Sequence, residues 1–236
     1  MTTVSDPREQ DKTDFGSAYR GVRERVKELV LSLPSEDLDR QVPACPDWTV
    51  KELVSHMTGI ASDMLAGNVA EAGQKQWTQA QITKRRDRSI EEIVAEWDEA
   101  GVQIDEALGY LHPAAAAATV GDAATHEHDL RGAVGDRDAR DTDAVSLAFG
   151  SYARFLSRRI RENNLPTLEL KTESEVVLAG KEEPIGSVSG SQFELLRALT
   201  GRRTKDQIRT LEWSTDPEPF MEIFSSYKVT EKELPE

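Results

Sequence analysis

Apolar residues recur every three or four positions through five segments of this 236-residue chain, the period of a helix with one buried face. In the first segment Phe15, Tyr19, Val22, Val26, Leu29 and Leu33 form the stripe, and Pro34 ends it because proline cannot donate in a helix interior. The second opens at Thr49. Thr49 and Glu52 have the spacing of a capping box, and Val50, Leu53, Met57, Ile60 and Met64 follow on one face before Gly67 and Asn68. Ser89 and Glu92 repeat the device ahead of Ile90, Ile93, Trp97, Ile104, Leu108 and Leu111. A fourth helix is predicted from about Ala115 to Val134, closed by Gly135 as a C′ residue. The fifth covers Thr142 to Asn163, with Val145, Phe149, Tyr152, Leu156 and Ile160 inward. Between the second and third helices, roughly 68–88 reads as a polar link rich in Gln, Lys and Arg.

The pattern changes after Pro166. TLELKT, SEVVLAG and IGSVSG read as short strands, SQFELLRALTGRR as a helix ending at Gly201, and TKDQIRTLEW and DPEPFMEIFSSY as further short helices. The expected fold is therefore mainly α: a helical bundle over 13–165 followed by a small α+β domain over 166–236. Residues 1–12 are polar and charged with no apolar core, so they read as a disordered leader and not as a signal peptide.

Charge narrows the partners. The chain carries 43 acidic and 29 basic residues, a net charge of −14. No segment is basic, which argues against nucleic acid or an anionic membrane. No apolar stretch approaches the length of a membrane span. Cys45 is the only cysteine, so no intrachain disulfide forms, and a cytoplasmic location is the expectation.

The chemistry must come from few residues. His56 falls about 40° outside the apolar stripe of the second helix at 100° per residue, close enough to lean into a bundle interior. A lone His there is commonly a packed core residue. The fourth helix, however, reads GDAATHEHDLRGAVG. Asp122 and His126 are four apart, Asp129 three further on the same side, and His128 points roughly 160° away from His126. A carboxylate and an imidazole one turn apart can chelate one metal ion, with a third ligand from a facing helix, for which His56 is the candidate. The same spacing also occurs in surface pairs.

VPACPDWTVKELVSHM and DAATHEHDLRGAVG together resemble the two motifs of the mycothiol-dependent maleylpyruvate isomerase family, within the DinB-like metalloenzymes; FELLRALTGRRTKDQI is similar, less specifically, to its C-terminal part. The resemblance implies a four-helix-type bundle binding a divalent ion, with zinc the expected one, and places the ligands on His56, Asp122 and His126. It also implies mycothiol or a similar thiol as cofactor. The metal would lower the thiol pKa, the thiolate would add to an electrophilic small molecule, and rotation and expulsion would give the trans isomer. S-transfer needs only the first half. The family pattern is His-Glu-His, whereas this chain has Asp122 at the acidic position, one methylene shorter. A non-catalytic metal- or ligand-binding module of the same fold is the alternative.

Asp129 reads either as a fourth ligand or, preferably, as the acceptor for the second N–H of a ligating His. Arg202 and Arg203 are candidate contacts to an anionic substrate, or a solvated pair after a helix end. Trp48 is expected to pack its loop onto the bundle, Cys45 to be buried and inert without a basic neighbour, His128 to face solvent, and His112 to suit a helix dipole.

Overall fold

The computed structural model describes residues 14–236; the expected leader lies outside the described residues. The five predicted helices are present as α1 (Phe15–Ser32), α3 (Val50–Leu65), α5 (Ile90–Leu108), α6 (Pro113–Val134) and α7 (Asp143–Glu162). A single turn, α2 (Ser35–Leu38), follows α1. Both capping boxes form: the Thr49 hydroxyl accepts from the Glu52 amide and the Glu52 carboxylate accepts from the Thr49 amide, as do Ser89 and Glu92. Thr142 caps α7 in the same way without the reciprocal bond. Gly135 closes α6 with φ of 77°, a left-handed conformation that costs glycine little. His112 stands at the N-cap of α6, not in the last turn of a helix. Its ring Nδ1 accepts from the Ala114 amide.

One helix and one hairpin escape the apolar pattern. The polar link contains a helix, α4 (Lys75–Arg85), whose buried residues are Trp77, Gln81, Ile82 and Arg85. Half of that inward stripe is polar, which hides its period. Ahead of α3, β1 (Gln41–Val42) and β2 (Cys45–Thr49) pair antiparallel, holding Cys45 and Trp48 against the bundle.

Helices α1, α3, α5 and α6 enclose the main core: α3 and α1 both pack on α5, and α6 packs on α1. Trp97, Val22, Val26, Leu53 and Val120 lie within it, at most 1% exposed. α7 lies on α6 and turns its other side to the C-terminal layer. That layer contains β3 (Leu168–Lys171), β4 (Val176–Ala179), β5 (Gly186–Ser189), α8 (Gln192–Leu199), α9 (Lys205–Arg209) and β6 (Glu212–Trp213). The strand order is β4-β3-β5-β6, with β3 and β5 parallel and both outer pairs antiparallel. TLEW, expected inside a helix, instead supplies β6 as an edge strand, and DPEPF forms one 3-10 turn. The fold is thus mainly α with a small α+β part. No helix among the described residues is long and apolar enough to cross a membrane.

One buried polar pair lies in the middle of the bundle. The Trp97 indole N–H donates to the Tyr19 hydroxyl at 2.9 Å. Burial pushes the Tyr19 phenol up to about 12, although the donated N–H favours the phenolate. An acid whose folded pKa lies above its unfolded value stabilises the fold below the unfolded pKa, and that stability is lost as pH rises through the folded one. Stability should therefore fall between about pH 10 and 12. Tyr19→Phe should flatten that fall in urea titrations at each pH while costing about 1–3 kcal/mol at neutral pH, because the indole N–H is left unpaired.

Candidate metal centre

Three helices and one hairpin meet where α3 faces α6. His56, in the second turn of α3, is 6% exposed, and His126, in α6, is 9% exposed. Their ring centroids are 5.3 Å apart. The Asp122 carboxylate lies 3.7 Å from His126 Nε2. One ligand atom from each of His56, Asp122 and His126 falls within 4.8 Å of the others, a spacing that one divalent ion spans. The three residues singled out in the sequence are thus brought together.

Neither imidazole is free to turn. The Gln81 amide N–H donates to the Asp63 carboxylate at 2.7 Å, so its carbonyl oxygen must face His56 Nδ1, 2.8 Å away. His56 Nδ1 therefore carries the proton, and Nε2 presents its lone pair to the site. His126 is held likewise by the Asp129 carboxylate, 3.1 Å from Nδ1. Outer carboxylates and carbonyls of this kind fix the tautomer of metal-binding histidines. Gln81 was invisible to the sequence reading because it belongs to α4. Its approach depends on Gly59: a Cβ there would stand 2.5 Å from the Gln81 Cβ.

Asp129 is 1% exposed and is shared among four partners. Arg197 donates to it at 2.8 Å, Arg202 at 2.7 Å and 3.2 Å, His126 at 3.1 Å, and the Cys45 thiol lies 3.6 Å away. Burial pushes its pKa up, but the two guanidinium groups outweigh that and hold it well below the usual carboxylate range. The same contest decides the histidines. Burial drags His56 down to about 4, and the neighbouring His126 adds to the effect. Burial also acts on His126, yet Asp122 and Asp129 overcome it and hold its pKa well above the ordinary value.

Cys45 departs from expectation. It is half-buried, with Arg202 4.0 Å from its sulfur and His126 and Asp129 within reach, so it does have basic neighbours. The β1–β2 hairpin brings it there, a contact across 84 residues to Asp129 that no local pattern announces. Trp48 does more than pack the loop: its ring lies beside both histidines, tilted against each, with centroids 5.1 Å and 6.4 Å away. His128 is buried, not solvent-facing. It leaves α6 on the side away from His126, as the wheel requires, but there it meets Phe193 of α8 at 4.8 Å. Burial, with Arg197 and Arg131 nearby, lowers it to about 3.

A pocket of about 670 Å³ opens over the cluster. His56, Asp122 and His126 line it, together with Trp48, Tyr152, Arg202 and Tyr227. Arg203 is turned away into an ion pair with Glu194 at 2.8 Å and Glu236 at 2.7 Å.

The sequence profile of the mycothiol maleylpyruvate isomerase N-terminal domain matches residues 19–147, more than half of the chain. A crystal structure of the mycothiol-dependent maleylpyruvate isomerase superposes with a TM-score of 0.61 at 14% identity, covering 91% of this chain and 96% of that one. A histidine-to-alanine mutant of the same isomerase gives 0.59 at 13% identity, with the same coverage. At these identities the likeness concerns the fold. Comparison with curated proteins finds no match.

Gly59→Ala should push Gln81 off His56. Nitrogen NMR of the imidazoles should show His56 as the single Nδ1–H tautomer at pH 7 and a mixture in the variant, with a lowered melting temperature. Gln81→Leu should mix the tautomers with less damage to packing.

Proposed function

The chain belongs to the mycothiol maleylpyruvate isomerase N-terminal domain family, and from that membership we propose a metal-dependent enzyme that uses mycothiol or a similar thiol on an electrophilic small molecule. The reaction is cis–trans isomerisation or S-transfer. The observation that carries the reading is the convergence of His56, Asp122 and His126 on one point in the floor of the pocket.

The donor set fits the group. Two imidazole nitrogens and one carboxylate suit a divalent ion such as zinc, and three protein donors leave room for a ligand from the pocket. Asp129, already committed to Arg197 and Arg202, supports His126 without serving as a ligand. When bound, the ion supplies a Lewis-acid position that favours the thiolate form of a thiol.

The protein's own groups supply the rest. Gln81 and Asp129 aim the two Nε2 lone pairs. Trp48 flanks both histidines with an apolar ring at the pocket wall. Arg202 reaches the pocket wall from the C-terminal layer, where its charge holds Asp129 ionised; Arg203 acts at a distance by tying Glu194 and Glu236 beside Arg197. Tyr152 and Tyr227, joined at 3.3 Å through their hydroxyls, offer a neutral donor at the same wall.

Elemental analysis of protein purified without chelators should find about one divalent ion per chain. The double variant His56→Ala with His126→Ala should lose it, and His128→Ala should keep it; full occupancy in the double variant removes the site. Ion-loaded protein should turn over an electrophile only with added mycothiol. Turnover without thiol that disappears in Cys45→Ser would instead make Cys45 the nucleophile, and ion binding with no turnover on any electrophile favours a non-catalytic module.

A further inference from the structure

The pocket has two unlike ends. On α3, His56, Ile60 and Met64 follow at intervals of four; on α6, His126, Asp122, Ala118 and Ala115 follow at intervals of three and four. Each set therefore lines one helix face. The ionisable groups all lie at one end. The other end runs on for about 12 Å, the length of eight helical residues, and is mostly apolar, its Thr78 and Thr119 hydroxyls each bonded to a backbone carbonyl one turn back. Trp77 of α4 closes it, and Val69 and Leu111, 48% and 38% exposed, form its rim. Ala115 and Ala118 belong to the Ala114–Ala118 run, and their small side chains leave the arm open.

The charges around this arm are spent. Arg202 gives two nitrogens to Asp129 and a third to the Thr200 carbonyl at 2.7 Å. Lys228 stands out in solvent, its side chain 85% exposed beside Glu231, where water screens its charge. Asp122 belongs to the candidate metal centre at the other end, and the whole chain carries −14. Beyond the candidate metal centre, a dianion entering the arm meets no buried cation free to pair with it among the described lining residues. Burying an unpaired carboxylate is costly, whereas apolar surface gains from the walls.

We infer that the arm takes an uncharged electrophile with an apolar, aromatic or branched aliphatic body, its reactive carbon toward His56 and His126. This rests on the pocket being the substrate site of the proposed thiol chemistry. For an aryl halide the step balances as S-transfer: the thiol sulfur bonds the ring carbon, the carbon–halogen bond breaks, halide leaves with the bonding pair, and the thiol proton goes to solvent.

Binding tests the arm apart from turnover. The full chain, freed of divalent ions, is titrated with uncharged N-phenyl-1-naphthylamine, followed by its fluorescence, and with maleate, followed by calorimetry. The amine should bind saturably and maleate should neither bind nor displace it. Ala118→Phe, which fills the arm, should weaken the amine about tenfold or more with an unchanged melting temperature. Met64→Lys, which places a charge there, should weaken the amine as well. Maleate binding tighter than the amine, or amine binding untouched by both variants, overturns the inference. Zinc- and mycothiol-loaded protein is then given 1-chloro-2,4-dinitrobenzene and a cis-enoyl keto diacid. Preference for the aryl chloride supports the inference and preference for the diacid overturns it. Saturable amine binding without turnover of either retains the apolar arm and rejects the thiol-enzyme reading.

Discussion

The buried carboxylate of Asp129 is the constraint on which the rest of the site depends. It lies in α6, takes hydrogen bonds from Arg197 and Arg202 across about seventy residues of chain, and holds His126 by Nδ1. A charge so placed is stable only while every partner is present, since removing one partner of a buried pair typically costs about 3–5 kcal/mol. Arg197 is itself fully buried and turns a second edge to Glu236, which Arg203 also holds. The C-terminal layer is therefore more than an accessory packed on α7. It supplies the counter-charge that lets a carboxylate remain ionised beside the candidate metal centre.

The electrostatic consequences are opposite for neighbouring imidazoles on one stretch of helix. His126 sits between two carboxylates and is held in its charged form in the ion-free chain, while His128, two residues away, faces Phe193 and arginines and is held neutral. Burial is similar for both. The sign is decided by which partner each side of α6 meets.

Much of this was readable in the chain, and the reason is local. Thr49 with Glu52 and Ser89 with Glu92 announce helix starts because a capping box is complete within four residues. Asp122 and His126 were legible as a pair because helical spacing fixes which side chains share a face, whereas His56, on another helix, stood out by its lean toward the interior and by the family resemblance. What was hidden is what depends on distant partners or on polar burial. α4 was missed because Gln81 and Arg85 face inward where apolar residues are expected. His128 was placed in solvent because nothing near it in sequence shows that α8 covers that face. Cys45 and Trp48 gained their neighbours through a hairpin of two and five residues, too short to leave a period.

The reach from Asp129 to Arg197 and Arg202 also sets an order of events. Helices α1 to α6 are complete in sequence by Val134, long before either arginine has been made. Until the chain passes residue 202, Asp129 lacks both guanidinium partners and has only His126 of its own helix beside it. Contacts of such separation form late, after the loop between them has been closed at an entropic cost. The helical scaffold can thus assemble during synthesis, whereas the charge balance beneath its pocket is set only when the last third of the chain arrives.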